Sequence, residues 1–332
     1  MIIAQTILVF VLAFLLSLKG TPIAREAALR FGIVDRPDGR LKTQAEPVPY
    51  LGGLSIFVSF LVTLALVFEF QQQVLGLLLG GSIVVLLGLV DDFGVLTPSV
   101  KFLGQVLAAS CIIKSGIYMK LIFLPEYVNI FLTLVWLVGM TNAFNIIDVM
   151  DGLSSGIGLI AAVFLLAVSV INENTSIAVI TATLAGSLLG FLRYNYHPAR
   201  IYMGDAGSLF IGLMLGALSI IGSYTLYHRL AFAAPLLLLG VPIFDMSYVM
   251  ILRAIHRRSM FFGSKDHIAL RLRKMGFTVP GAVNMLFAAS VVLGNLGFVT
   301  IYGNETITLI ILGSVLIAAI LTGVLLARIN ME

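Results

Sequence analysis

Along most of this chain the apolar positions do not alternate with polar ones. They run on in blocks of roughly the length that crosses a bilayer core as helix, about 20 residues or somewhat fewer. Eleven such blocks stand out, at about 2–18, 51–68, 74–90, 100–113, 128–147, 155–171, 176–192, 206–223, 230–251, 280–299 and 306–327. The pattern predicts an all-α, polytopic integral membrane protein of about eleven transmembrane helices. The fourth block is the weakest, being short with a lysine at each end. The ninth holds Pro235 and Pro242 and is expected to kink. The first lacks a basic leader and a small-residue cleavage site, so it reads as a retained span. Between the spans lie polar loops at about 19–50, 91–101, 148–155, 193–205 and 252–279, none long enough to be a separate catalytic domain. Residues 1–332 are therefore expected to form a single transmembrane catalytic domain.

Composition removes the soluble alternative. Hydrophobic residues make up 60% of the chain and charged ones 11%, with a mean hydropathy of +1.08. A soluble domain carries about 25% charged residues. The net charge of +4 is explained by sidedness rather than by a nucleic-acid partner. With the N-terminus outside and the C-terminus in the cytoplasm, 17 of the 20 basic residues fall in cytoplasmic loops, and only Lys114, Lys120 and Arg229 lie outside. The one cysteine, Cys111, excludes an internal disulfide and a cysteine metal site.

The acids are sided too. Asp91, Asp92, Asp148, Asp151, Asp205 and Asp245 all fall on or near the cytoplasmic face. Carboxylates at a hydrocarbon boundary are costly and usually have a pairing or functional reason to be there. In GLVDDFG (88–94), Asp91 and Asp92 share a role only where the helix has ended, which Gly94 and Pro98 suggest. Lys101 and Gln105 follow at i,i+4 spacing and can share a face below them. In NAFNIIDVMDG (142–152), Asn142, Asn145, Asp148 and Asp151 recur every third residue. They form a polar ladder expected to face the bundle interior, with Asn145 and Asp148 on one ligand and Asp151 turned to another part of the pocket. In YMGDAGS (202–208), Asp205 lies near a helix N-terminus, where it either caps the helix or, with amide groups and a cation, holds phosphate. Acidic sites with Asn and Gly partners, and no Cys or paired His cluster, point to a hard divalent ion, Mg2+, on a diphosphate. The loop 253–274 is rich in Arg and Lys around His267 and suits an anionic substrate or ordinary sidedness equally well.

With these segments in hand the chain resembles the membrane polyprenyl-phosphate N-acetylhexosamine-1-phosphate transferases and, more distantly, the phospho-MurNAc-pentapeptide translocase. The likeness runs from about residue 30 to 275. It rests on VPYLGG (48–53), GLVDDFG (88–94), NAFNIIDVMDGLSSG (142–156), HPARIYMGDAGSLFIG (197–212), PIFD (242–245) and KDHIALRLRKMGF (265–277). It implies Mg2+-dependent transfer of a hexosamine-1-phosphate from a UDP-amino sugar, UDP-GlcNAc foremost, to undecaprenyl phosphate in the bacterial cytoplasmic membrane. UMP is released, and the active site faces the cytoplasm. It further implies that Asp205 ligates the metal and that Asp91, supported by Asp92, binds or deprotonates the lipid phosphate. Asp148 would join them in catalysis. Asn142, Asn145, Lys101 and Asp151 would line the substrate site, with Tyr202 against the base and His267 and Arg271 reaching over from the last loop. Family members often form homodimers, and a homodimer is carried here on that ground alone. Two positions depart from the pattern. The last loop reads His267-Ile-Ala-Leu-Arg271 where relatives have His-x-His-His-Arg, and Gln44 stands where many have His. A transporter and a catalytically silent homologue are the competing classes. The first would need polar groups in the outer halves of the spans, and the second rests on the altered His loop.

Overall fold

In the computed structural model the described residues are 2–35, 46–67, 71–222, 224, 227–257 and 266–331. They form a helical bundle: α1 (Ile2–Arg30), α2 (Gly52–Val67), α3 (Gln72–Asp92), α4 (Pro98–Lys114), α5 (Glu126–Ile147), α6 (Leu153–Ile171), α7 (Thr175–Asn195), α8 (Gly204–Ile221), α9 (Ala234–Leu238), α10 (Gly240–Ile255), α11 (Ile268–Lys274), α12 (Val279–Tyr302) and α13 (Glu305–Ala327). A two-residue antiparallel ladder, β1 (Val34–Asp35) with β2 (Val48–Pro49), is the extended pairing among them. Over their described residues all eleven apolar blocks are helical, the ninth with a break at Leu239. Among the described residues eight helices are long and apolar enough to cross a membrane, and the bent α9–α10 pair, taken as one span, makes a ninth. α2 and α4, at 16 and 17 residues, are shorter. The chain is a multi-pass membrane protein.

α7 and α8 are the most enclosed helices. α7 packs on α1, α6 and α2, and α8 on α3, α5, α2 and α6. α13, by contrast, turns nearly all its surface outward, as an apolar helix in lipid can.

Two elements differ from the sequence pattern. α1 does not stop at residue 18 but runs to Arg30, through Pro22. A proline inside a helix strips a donor from the carbonyl four residues back. Here that carbonyl, of Leu18, accepts a hydrogen bond from the Tyr194 hydroxyl at 3.1 Å, so the helix continues with the lost bond replaced from α7. The ninth block breaks more sharply than a kink: its two halves meet at 74° beside Leu239. Pro235 and Pro242 sit in the first turns of α9 and α10, where a missing N–H does least harm. The fourth block is a whole helix, started by Pro98 and by Thr97, whose hydroxyl accepts the Val100 N–H. Of the first and last polar loops, residues 36–45, which include Gln44, and 258–265 lie outside the described residues.

Candidate active site

One end of the bundle gathers the C-terminal ends of α3 and α5, the start of α4 and the N-terminus of α8. The cavity between them, about 460 Å3, is lined by Asp91, Asp92, Asn145, Asp148, Asp151, Tyr202 and Asp205, and also by Asp35, Tyr50, Asn195, Met203 and Gly204. That size falls within the range of small-molecule sites.

Asp205 is its hub. It lies in the first turn of α8, one residue past Gly204, whose φ of +72° is the left-handed conformation glycine adopts without strain. Asp205 does not cap its own helix. Its N–H donates to Asp92 Oδ1 at 2.8 Å, so Asp92 caps α8 from α3. The Asp205 carboxylate accepts from the Asn145 amide at 2.9 Å and from the Lys101 ammonium. Lys101 also pairs with Asp91 at 2.7 Å and donates to Asn145 Oδ1 at 3.3 Å. Four helices thus meet on one ammonium group.

The close approach is set by Gly88, one turn before Asp92. A Cβ there would lie 2.3 Å from the Ala206 nitrogen and 2.5 Å from the Asp205 carbonyl carbon. A second strut comes from VPYLGG. Tyr202 N–H donates to the Pro49 carbonyl at 2.8 Å, and the Gly52 and Gly53 amides donate to Tyr202 and Met203 at 3.0 and 2.8 Å. The two motifs, 150 residues apart in the chain, are bound backbone to backbone, which fixes where α8 begins.

Asp91 and Asp92 are both helical, because α3 runs through Asp92 and Gly94 (φ +70°) follows it. The expectation that the helix ends before them is corrected. Adjacent helical residues point about 100° apart, and the two divide accordingly: Asp91 to Lys101, Asp92 to the α8 amides. Asp92 keeps one buried oxygen, Oδ2, without a hydrogen-bond partner.

The polar ladder splits as well. Asn142 sits a turn below the cavity in a two-way amide pair with Gln105, at 2.6 and 3.3 Å, and is not among the lining residues. Asn145 bridges Asp205 and Ser208. Asp148 ends α5, where burial, with Asp205, Asp92 and Asp151 adding repulsion, pushes its carboxyl up to about 8. Asp151 Oδ2 accepts from His197 Nδ1 at 2.7 Å and from the Ala199 N–H at 3.1 Å. Tyr202 is pushed up to about 12 by burial and by Asp151.

His267 and Arg271 do not reach this cavity. His267, 4% exposed, places Nδ1 2.9 Å from Asp245, itself 1% exposed. The second Asp245 oxygen accepts the Ile268 N–H, which starts α11. Arg271, 3% exposed, pairs with Asp266 at 3.0 Å and donates to the Leu326 and Ile329 carbonyls at 2.8 and 2.7 Å. Its guanidinium lies over the Tyr248 ring. The expectation that both residues face substrate gives way to a buried network that ties α10 and α11 to the end of α13.

Several contributors were not picked out from the sequence. Asn195 accepts from the Gly152 N–H and the Ser155 hydroxyl and donates to the Ile201 carbonyl, so it braces the loops on either side of the cavity. No motif marks it. Tyr50 stands inside VPYLGG and Asp35 on β1, and only the chain's course brings them to the site.

Among the described residues no group of three or more His, Cys, Asp or Glu side chains is arranged to hold a metal ion by itself. Mg2+ rarely asks for one, since it binds through one or two carboxylates plus substrate phosphate and water. Asp91, Asp205 and Asn145 offer only oxygen atoms toward a point already taken by a cation, the Lys101 ammonium. The donor set fits a hard divalent ion.

Residues 74–223, which hold all the motif carboxylates of this cavity, match the sequence pattern of glycosyl transferase family 4. A Bacillus subtilis protein named "Probable undecaprenyl-phosphate N-acetylglucosaminyl 1-phosphate transferase" is 33% identical over 85% of this chain and 81% of its own. The decaprenyl-phosphate N-acetylglucosaminephosphotransferase of Mycolicibacterium smegmatis is 30% identical over 94% and 86%. The phospho-N-acetylmuramoyl-pentapeptide-transferase of Caldicellulosiruptor bescii is 32% identical over 65% and 74%. With likeness of this extent over most of its length, the chain belongs to glycosyl transferase family 4.

Proposed function

We propose that this protein transfers N-acetylhexosamine-1-phosphate from a UDP-sugar, UDP-GlcNAc foremost, to undecaprenyl phosphate, releasing UMP. The reaction would begin a cell-envelope polysaccharide at the cytoplasmic face of the bacterial inner membrane. The observation that carries the reading is the meeting of Asp205, Asp91, Asn145 and Lys101 from four helices in an acidic cavity. Two relatives named for polyprenyl-phosphate N-acetylglucosamine phosphotransfer support it.

In the step we favour, an oxygen of the lipid phosphate attacks the sugar-linked phosphorus of the donor. One P–O bond forms, the P–O bond to the uridine-bearing phosphate breaks, and UMP departs with that electron pair. The attacking phosphate is already an anion, so no covalent enzyme intermediate is required. Asp205, with Asp91 beside it, would hold Mg2+, which when bound neutralises diphosphate charge. Lys101 adds a fixed positive charge, and Asp91 orients both it and the acceptor phosphate. Asp92 acts by fixing the α8 N-terminus. Asn145 holds the Asp205 carboxylate in register, and Asp148 shapes the wall beside it. Asp151, steadied by His197, and Tyr202 receive the uracil end. Asn142, paired with Gln105, ties α5 to α4 a turn below the cavity. His267 and Arg271 act by holding the C-terminal helices together rather than by touching sugar. A homodimer, if formed, leaves this assignment unchanged, because every named group comes from one chain.

The test is purified protein in detergent with undecaprenyl phosphate, Mg2+ and a panel of UDP-sugars, reading UMP and lipid-linked product. UMP release with UDP-GlcNAc, lost in Asp205→Asn, is expected. Release with another UDP-sugar alone would keep the mechanism and change the donor. No release with any donor, from folded and lipid-competent protein, would overturn the reading in favour of a silent homologue.

A further inference from the structure

A second cavity, about 770 Å3, lies across the segment 195–202 from the acidic one. Asn195 and Tyr202 face the acidic cavity, while His197, Pro198 and Arg200 line the second. Its walls are Phe14 and Leu18 of α1, Leu189 and Arg193 of α7, and Phe287 of α12. A smaller cavity of about 420 Å3 adjoins it through Tyr194 and Arg200 and adds Arg25. Among the described residues no carboxylate lines either.

The chemistry is graded along the helix. Leu189 and Arg193 stand one turn apart on the same face of α7, so the cavity is apolar toward the middle of the span and basic at its end. Among the described residues the Arg193 and Arg200 guanidiniums make neither a hydrogen bond nor an ion pair, and both are exposed. Two unpaired guanidiniums at the rim of an apolar cleft between membrane spans suit a phosphate headgroup with an acyl chain beneath it.

We propose that this cleft holds an anionic phospholipid of the surrounding bilayer, with its phosphate between Arg193 and Arg200 and a chain against Leu18, Leu189 and Phe287. A free anion would leave the apolar wall unmatched. A zwitterionic lipid would bring its own cation against the arginines. The acceptor lipid is a poor occupant, because its phosphate has to reach Asp91 and Lys101 on the other side of the 195–202 segment. The contact of His197 with Asp151 makes that segment a shared wall between lipid and active site.

Delipidated full-length protein would be titrated with phosphatidylglycerol, phosphatidylcholine, undecaprenyl phosphate and inorganic phosphate, reading retained lipid by native mass spectrometry and stability by thermal melting. Phosphatidylglycerol is expected to be retained and to raise the melting temperature, in wild type and equally in Asp205→Asn. Arg193→Gln/Arg200→Gln should weaken retention by about tenfold or more, and Arg193→Lys/Arg200→Lys should keep most of it. If the Gln pair does not fold, Leu189→Trp carries the test by filling the apolar end while leaving both arginines. Equal retention of phosphatidylcholine would overturn the proposal. So would displacement by inorganic phosphate or undecaprenyl phosphate, or folded Gln and Trp variants that bind like wild type.

Discussion

Two clusters in this molecule join aspartates to basic side chains, and in the sequence they look alike. Around Asp205 the charges line a cavity. Lys101 serves two carboxylates at once, and Asp92 keeps a buried oxygen unmatched. Around Asp245 both carboxylate oxygens are taken, by His267 and the Ile268 amide, while Arg271 spends its donors on Asp266 and two carbonyls of the chain's end. The first cluster has charge to offer a ligand and space in which to offer it. The second is buried and bonded at Asp245, His267 and Arg271, with only the Tyr248 hydroxyl beneath the guanidinium lacking a hydrogen-bond partner among these four residues. Access to a cavity, rather than kind of residue, separates a site from a fastening.

The comparison can be broken most directly at Asp205. Asp205→Asn should cut turnover by about a thousandfold while leaving the melting temperature near wild type, and a matching loss of fold would place Asp205 with the fastenings. Next in size is Arg271→Ala, which removes the Asp266–Arg271 ion pair and releases the Leu326 and Ile329 carbonyls. It should cost about 3 kcal/mol or more of stability, seen as a fall in melting temperature, with activity per folded molecule little changed. Turnover lost at full stability would return Arg271 to the substrate site. Gly88→Ala adds one methyl group where α3 meets α8. It should lower kcat by about a hundredfold through displacement of Asp92 and Asp205, with substrate affinity less affected. The smallest effect is expected at the proposed uracil end, where Tyr202→Ala should raise KM for the UDP-sugar of the proposed reaction about fivefold to tenfold and leave kcat largely intact.

Much of this was readable in advance. The eleven helical blocks follow from apolar runs, and five of the six aspartates placed on one face do line one cavity. What misled was local inference about ends and partners. Nothing near Pro22 says that a tyrosine on α7 will satisfy the Leu18 carbonyl and let α1 run on. Nothing in GLVDDFG says which of its two acids will cap a helix more than a hundred residues away. Asn195 carries no motif because two of its three bonds go to backbone groups, which any sequence supplies, and the third to a serine forty residues away.

By itself, then, the sequence determined the membrane class, the apolar helical blocks and the stock of carboxylates. These depend on transferring each segment between water and lipid, a property the segment carries alone. Tertiary structure decided that Gly88 lets α8 close on α3, that Asp91 and Asp92 part company, and that Asp245, His267 and Arg271 fasten the C-terminal helices instead of serving the cavity. Each of those outcomes is a choice of partner, set by which groups the packed bundle leaves within bonding distance of one another.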